Sequence, residues 1–156
     1  MLDKDQPSAA AIAALRTRFA CEPEIDRILT RKLTARAGAG YVHQDLRALR
    51  DGSAALIRAN IGDDFAISDA RWLTGGASKL QMAFTLEWSP PAEARRKSAM
   101  VLRMQPAESV VESSRLREFE VLAAMHGIVP VPPVYWVDDE ARHLPYPAIV
   151  YGFVDG

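Results

Sequence analysis

One cysteine, Cys21, stands among 156 residues. A lone thiol cannot close an internal disulfide, which removes the disulfide-stapled scaffold from consideration and makes a reducing cytosol the expected compartment. Long apolar runs are missing as well. No stretch approaches the roughly 18 residues of a membrane span, and the opening "MLDKDQPSAA" lacks the basic-then-apolar order of a signal peptide. Positive charge is not in excess either: 19 Lys and Arg face 20 Asp and Glu. That balance argues against nucleic-acid and membrane-surface partners, both of which normally meet a basic patch. The two common nucleotide fingerprints are also absent. "GGASK", residues 75–79, has no glycine five positions before a Gly-Lys-Ser/Thr and does not follow the GxGxxG spacing, and the glycines of "RAGAGYV" follow no strand.

What is present changes period part-way along the chain. Ile12, Leu15 and Phe19 recur at helical spacing after Ser8, a fitting N-cap, and Ile25, Ile28, Leu29 and Leu33 form a second stripe beginning beside Pro23. Leu46, Leu49, Leu56 and Ile57 form a third, and "RAGAGYV" reads as the turn between the second and third. From Phe65 onward the period becomes two. Leu80, Met82, Phe84, Leu86 and Trp88 alternate with Gln81, Ala83, Thr85, Glu87 and Ser89, as a half-buried strand requires. Met100, Leu102 and Met104 alternate again, with Ala99, Val101 and Arg103 on the opposite face. With "FAISDARWL" these segments predict a three-stranded meander.

Pro106 stops the third strand. Ser109 and Glu112 have capping-box spacing, which predicts a helix entered there, buried through Leu116, Phe119, Leu122 and Ala123 and closed by Gly127. Two apolar strands around a solvated acidic turn at Asp138 and Asp139 complete the chain. The expected fold class is therefore α+β, a five-stranded antiparallel sheet with one inserted helix. Residues 1–62 are expected to be a helical extension and 63–156 the sheet domain.

The chemistry sits around the glycines. Gly75 and Gly76 lack Cβ atoms, so their amides can approach an anion closely, and Ser78 adds a hydroxyl donor. Alone they read as a hairpin turn. Downstream, Arg103 projects from the end of the third strand away from Met100 and Met104, and Glu118 lies in the following helix. A strand cation paired with a helix carboxylate can be fixed against phosphate oxygens, as in kinase-type phosphoryl transfer. A guanidinium there offers a planar fork for two oxygens, which lysine does not.

"LTGGASKLQ", "MVLRMQP", "LREFEVLAAM", "VPVPPVYWVDD" and "YPAIVYGFVDG" occur in an order and at spacings that resemble the N-terminal lobe of the aminoglycoside phosphotransferase-like family, which has the protein-kinase-like fold. The segments are similar also to the kinase-like domains found with acyl-CoA dehydrogenases. The resemblance implies that Gly75, Gly76 and Ser78 cover the phosphates of ATP, that Arg103 takes the place of the strand-three lysine, and that Glu118 pairs with it. It implies that Leu73, Leu80 and Val101 sandwich the adenine. "YGFV", residues 151–154, would be the hinge, with backbone groups of Gly152 and Val154 on the adenine edge. Lys79 stands where the family often has Asn, and Gln81 where Thr is frequent.

In that family a second, C-terminal lobe supplies the catalytic aspartate, a nearby asparagine and the aspartate that holds magnesium. "HQD", residues 43–45, precedes the glycines and reads as a helix start, and "HGI", residues 126–128, as a helix end followed by an apolar anchor. The resemblance therefore implies a fragment ending at the hinge, with ATP and magnesium as cofactors of a longer phosphotransferase acting on a small-molecule hydroxyl. No turnover is expected from these residues alone. Two alternatives stay open: a pseudokinase or regulatory nucleotide-binding module, and a non-catalytic α+β interaction domain in which Arg103 and Glu118 are only a structural ion pair. Exposed apolar surface could also support a homodimer.

Overall fold

The computed structural model describes residues 6–38, 42–73, 79–106, 109 and 112–154. The chain divides into two compact units, one of residues 1–43 with 107–114 and one of residues 44–106 with 115–156. The third helix thus belongs with the sheet, and a short downstream segment belongs with the first two helices. A boundary at 62/63 follows the change of period but not the packing.

In the first unit, α1 (Ala9–Arg18) begins at Ser8, whose hydroxyl oxygen accepts from the Ala11 amide at 3.2 Å. Helix α2 (Pro23–Arg36) begins with proline at its first position, where no amide is missed, and the Glu22 carboxylate accepts from the Glu24 and Ile25 amides. Arg16 ties the two helices together, its Nε and Nη2 donating to the Asp26 carboxylate at 3.0 and 2.6 Å. The apolar stripes are only partly covered: Ile12 and Ile28 are buried, whereas Phe19 is 62 % exposed. The helix expected from the spacing of Ser109 and Glu112 starts at Arg115 instead. Lys32 takes both residues, pairing with Glu112 at 3.1 Å and donating to the Ser109 carbonyl.

In the second unit, α3 (Leu46–Ile61) is capped by Asp45, which accepts from the Arg47 amide at 3.2 Å. "HQD" is accordingly a helix start. Five antiparallel strands follow: β1 (Phe65–Trp72), β2 (Leu80–Trp88), β3 (Arg96–Met104), β4 (Val134–Asp138) and β5 (Ala148–Gly152), in the spatial order β1-β2-β3-β5-β4. With α4 (Arg115–Met125) inserted after β3, the architecture is α+β with a five-stranded antiparallel sheet.

The alternation in β2 and β3 builds one face of that sheet. Met82 opposes Leu102 and Phe84 opposes Met100, and these side chains pack with Leu49, Leu56 and Ile57 of α3 and with Trp88, Trp136 and Val150 into one apolar core. Gly52 permits the close approach of the β4–β5 connection to α3. A Cβ at that position would lie 2.7 Å from the His143 carbonyl oxygen and 2.9 Å from Leu144 Cδ2. The connection is itself organised by Asp138, which is not the solvated residue expected. Its side chain is buried and accepts from the amides of Arg142, His143 and Leu144 at 2.8, 2.9 and 2.9 Å. Three amide donors offset the desolvation of one carboxylate.

Helix α4 departs from its expected burial. It begins at Arg115 instead of near Ser109, and Arg115 is its one buried residue. Phe119 and Leu122 are half-buried, while Leu116 and Ala123 are exposed. Gly127 follows the helix with φ of +82°, a conformation that glycine adopts without strain. Ile128, expected to anchor the helix end, is 74 % exposed.

Candidate functional site

Residues directly opposed in an antiparallel pair project from the same face. Gln81 opposes Arg103 and Ala83 opposes Val101 across β2 and β3, while Val101 opposes Tyr151 and Arg103 opposes Ile149 across β3 and β5. These six residues therefore share the sheet face opposite the α3 core. Leu73 joins them: its amide donates to the Gln81 carbonyl at 3.0 Å, which continues the β1–β2 pairing by one position.

Leu80 does not join them. It opposes Met104 and packs against the α3 core, so it cannot sandwich a ligand together with Val101. Side chains alternate along β2, and the position across from Val101 belongs to Ala83. Alternation alone identifies Ala83 once the pairing of β2 with β3 is known, but the spacing from the glycines suggested Leu80. Gly75, Gly76 and Ser78 lie outside the described residues.

The polar part of this face is a chain of five side chains. Arg103 Nη1 meets Glu118 Oε1 at 2.7 Å, which joins β3 to the first turn of α4 as the sequence predicts. The second Glu118 oxygen lies 2.5 Å from Arg115 Nη1. Arg115 is 1 % exposed, and its Nη2 donates to Gln105 Oε1 at 3.0 Å. Lys79 Nζ donates to that same oxygen. The Gln105 backbone N–H donates to the Pro147 carbonyl at 3.0 Å.

Reading the sequence missed Gln105 and Arg115 as members of this site. Gln105 continues the two-residue period of Val101 and Arg103, so it could have been placed. Arg115 stands three before Glu118, a spacing that brings helix side chains together, but nothing in its neighbours marks an arginine as buried.

Within this chain one carboxylate serves two guanidiniums, and a neutral amide brings in a third cation. Arg103 Nε is buried and has no hydrogen-bond partner among the described residues, so the planar fork retains a donor beyond the one given to Glu118. Tyr151 stands beside the pair. Burial pushes its phenol above the ordinary value of 10.0, with Arg103 pulling it down and Glu118 pushing it further up.

At the far end of β5 the backbone is pinned on both sides. The Gly152 amide donates to the Pro133 carbonyl at 2.8 Å and the Phe153 amide to the Ala99 carbonyl at 2.9 Å. A Cβ at Gly152 would come within 2.9 Å of Pro133 Cγ, so this glycine permits close packing. Val154 is exposed immediately beyond.

No protein-family model matches this chain, and no curated protein matches it. Among the described residues no group of three or more His, Cys, Asp or Glu side chains could hold a metal ion, and no helix is long and apolar enough to cross a membrane.

Proposed function

We propose that the second unit is the nucleotide-binding lobe of an ATP-dependent phosphotransferase whose acceptor is a small-molecule hydroxyl. The observation that carries this reading is the Arg103–Glu118 pair, formed at 2.7 Å between β3 and α4, with Arg103 Nε buried and without a hydrogen-bond partner among the described residues. A guanidinium held by a carboxylate presents its remaining edge at a fixed angle, as recognition of phosphate oxygens requires. Leu73, Ala83 and Val101 supply the apolar surface for an adenine on the same face, and backbone groups of Gly152 and Val154 supply its polar edge. Gly75, Gly76 and Ser78 cover the phosphates in this reading.

Transfer chemistry would also need magnesium and an aspartate to accept the acceptor's proton. Asp45 caps a helix and Asp138 is occupied by three amides, so these two do not serve as the base. We therefore expect ATP binding without turnover by this chain. A cytoplasmic setting suits the free, exposed thiol of Cys21. Amide chemical shifts recorded during an ATP titration test the binding: shifts at Leu73, Val101 and Val154 are expected. Shifts confined to residues outside this face would contradict the reading.

A second reading, an interaction domain, draws on exposed apolar side chains near the end of α4. Val121 is 60 % exposed there, and Ile128 and Val129 lie beyond it. That surface is separate from the charged chain and does not account for Arg115 being buried beside Glu118.

A further inference from the structure

The connection between β3 and α4 is not an ordinary surface loop, which would keep its polar groups in water. Ser109 is 1 % exposed and Ser114 is 5 % exposed. Residues 107–114 belong with the first two helices in the first unit, although the chain on either side of them belongs to the second. Two side chains of α2 hold this segment.

Lys32 Nζ meets Glu112 Oε2 at 3.1 Å and also donates to the Ser109 carbonyl. Glu24 holds the other end, where the Ser114 hydroxyl donates to Glu24 Oε1. Glu24 and Lys32 stand about 12 Å apart along α2 by the helical rise, so the segment is gripped at two separate points. The Lys32–Glu112 pair is largely withheld from water, with both side chains 11 % exposed. A pair so placed tolerates the loss of one member poorly, because the other is left as an uncompensated charge.

The residue after Ser114 is Arg115, the first of α4. Its Nη1 lies 2.5 Å from Glu118 Oε2, and the other Glu118 oxygen orients Arg103. We propose that Lys32, Glu112, Glu24 and Ser114 are positioning residues: they fix the chain where it enters α4, and through the Ser114–Arg115 peptide bond they set the placement of Glu118 against Arg103. Helix α2 then influences the charged face without contributing a side chain to it. The effect on ligand binding rests on the nucleotide-lobe reading above, whereas the effect on α4 does not. Such coupling is reciprocal, so a ligand that favours one placement of α4 must also favour the grip that maintains it.

The test is amide hydrogen exchange on the 156-residue chain, with a calorimetric ADP titration of the same samples. Lys32→Met is expected to speed exchange at Phe119, Glu120 and Val121 about tenfold, as the loss of one charged contact allows, and to leave exchange in β2 unchanged. ADP is expected to bind about fivefold more weakly. The double variant Lys32→Met with Glu112→Gln should lose no more than Lys32→Met alone. Ser114→Ala releases the other grip and should act in the same direction; it carries the test if Lys32→Met does not fold. In the unsubstituted chain ADP should slow exchange at Glu112 and Ser113, and this response should vanish in Lys32→Met. A merely structural role for Lys32 would lower the melting temperature and leave that response in place. Unchanged α4 exchange in folded Lys32→Met and Ser114→Ala would overturn the proposal whether or not ADP binds. Faster α4 exchange with ADP affinity unchanged would overturn the positioning of Glu118. If the unsubstituted chain bound no ADP while α4 exchange still rose in Lys32→Met, the nucleotide reading would fall and the hold on α4 would stand.

Discussion

The two faces of the five-stranded sheet come from the same strands and differ in almost every physical respect. On one face, Met82, Phe84, Met100 and Leu102 meet α3 in an apolar core. On the other, Lys79, Arg103, Gln105, Arg115 and Glu118 are linked by hydrogen bonds and ion pairs. The first face is held by area removed from water and by volume, the second by the geometry of ion pairs and hydrogen bonds. Damage to the first should therefore appear as lost stability, and damage to the second mainly as lost ligand binding.

The largest effect is expected from Phe84→Ala. The ring is 1 % exposed in the middle of the core, and the cavity should cost about 3–5 kcal/mol in urea unfolding. Gly52→Ala should follow at about 1–3 kcal/mol, because the new methyl meets the His143 carbonyl, a backbone atom with little freedom to move. Glu118→Gln should cost no more than that, about 1–3 kcal/mol: the pair with Arg103 is partly solvated, but the buried Arg115 also loses a charged partner. It should weaken ADP binding about tenfold, because Arg103 loses its orienting charge. If Glu118→Gln destabilised the protein as much as Phe84→Ala, the contrast between the faces would collapse and the charged chain would be a structural device.

The smallest effect concerns Tyr151. Burial raises its phenol above 10.0 in the folded protein, so the unfolded chain releases this proton first. The contribution to stability is fully present below about pH 10 and is lost as pH rises through the folded value. Tyr151→Phe should remove that alkaline component from a pH series of melting temperatures. A Tyr151→Phe protein with the same alkaline decline would place the titrating group elsewhere.

Much of the apolar face was legible in the sequence, because strict alternation from Leu80 to Trp88 is the pattern that a half-buried strand leaves behind. The Arg103–Glu118 pair was legible for a related reason: one residue lies opposite the methionines of β3, the other in the helix that follows. The rest depends on contacts that no local pattern encodes. The pairing of β2 with β3 decides that Ala83, and not Leu80, lies across from Val101. Lys32 meets the Ser109 carbonyl and the Glu112 carboxylate, while the helix that their spacing advertised starts at Arg115. The β4–β5 connection explains both a glycine inside α3 and a buried Asp138, and neither constraint can be seen from its own neighbours. Arg115 is buried at a helix start because Glu118 and Gln105 receive it, a fact set by tertiary packing alone.

The central claim is that the charged face binds the phosphates of a nucleotide through Arg103. Its most direct test is an ADP titration of the unsubstituted chain and of Arg103→Met, with melting temperatures recorded for both. Saturable binding that weakens at least about tenfold in Arg103→Met, while the fold is retained, is the predicted result. Equal affinity in the two folded proteins would contradict it.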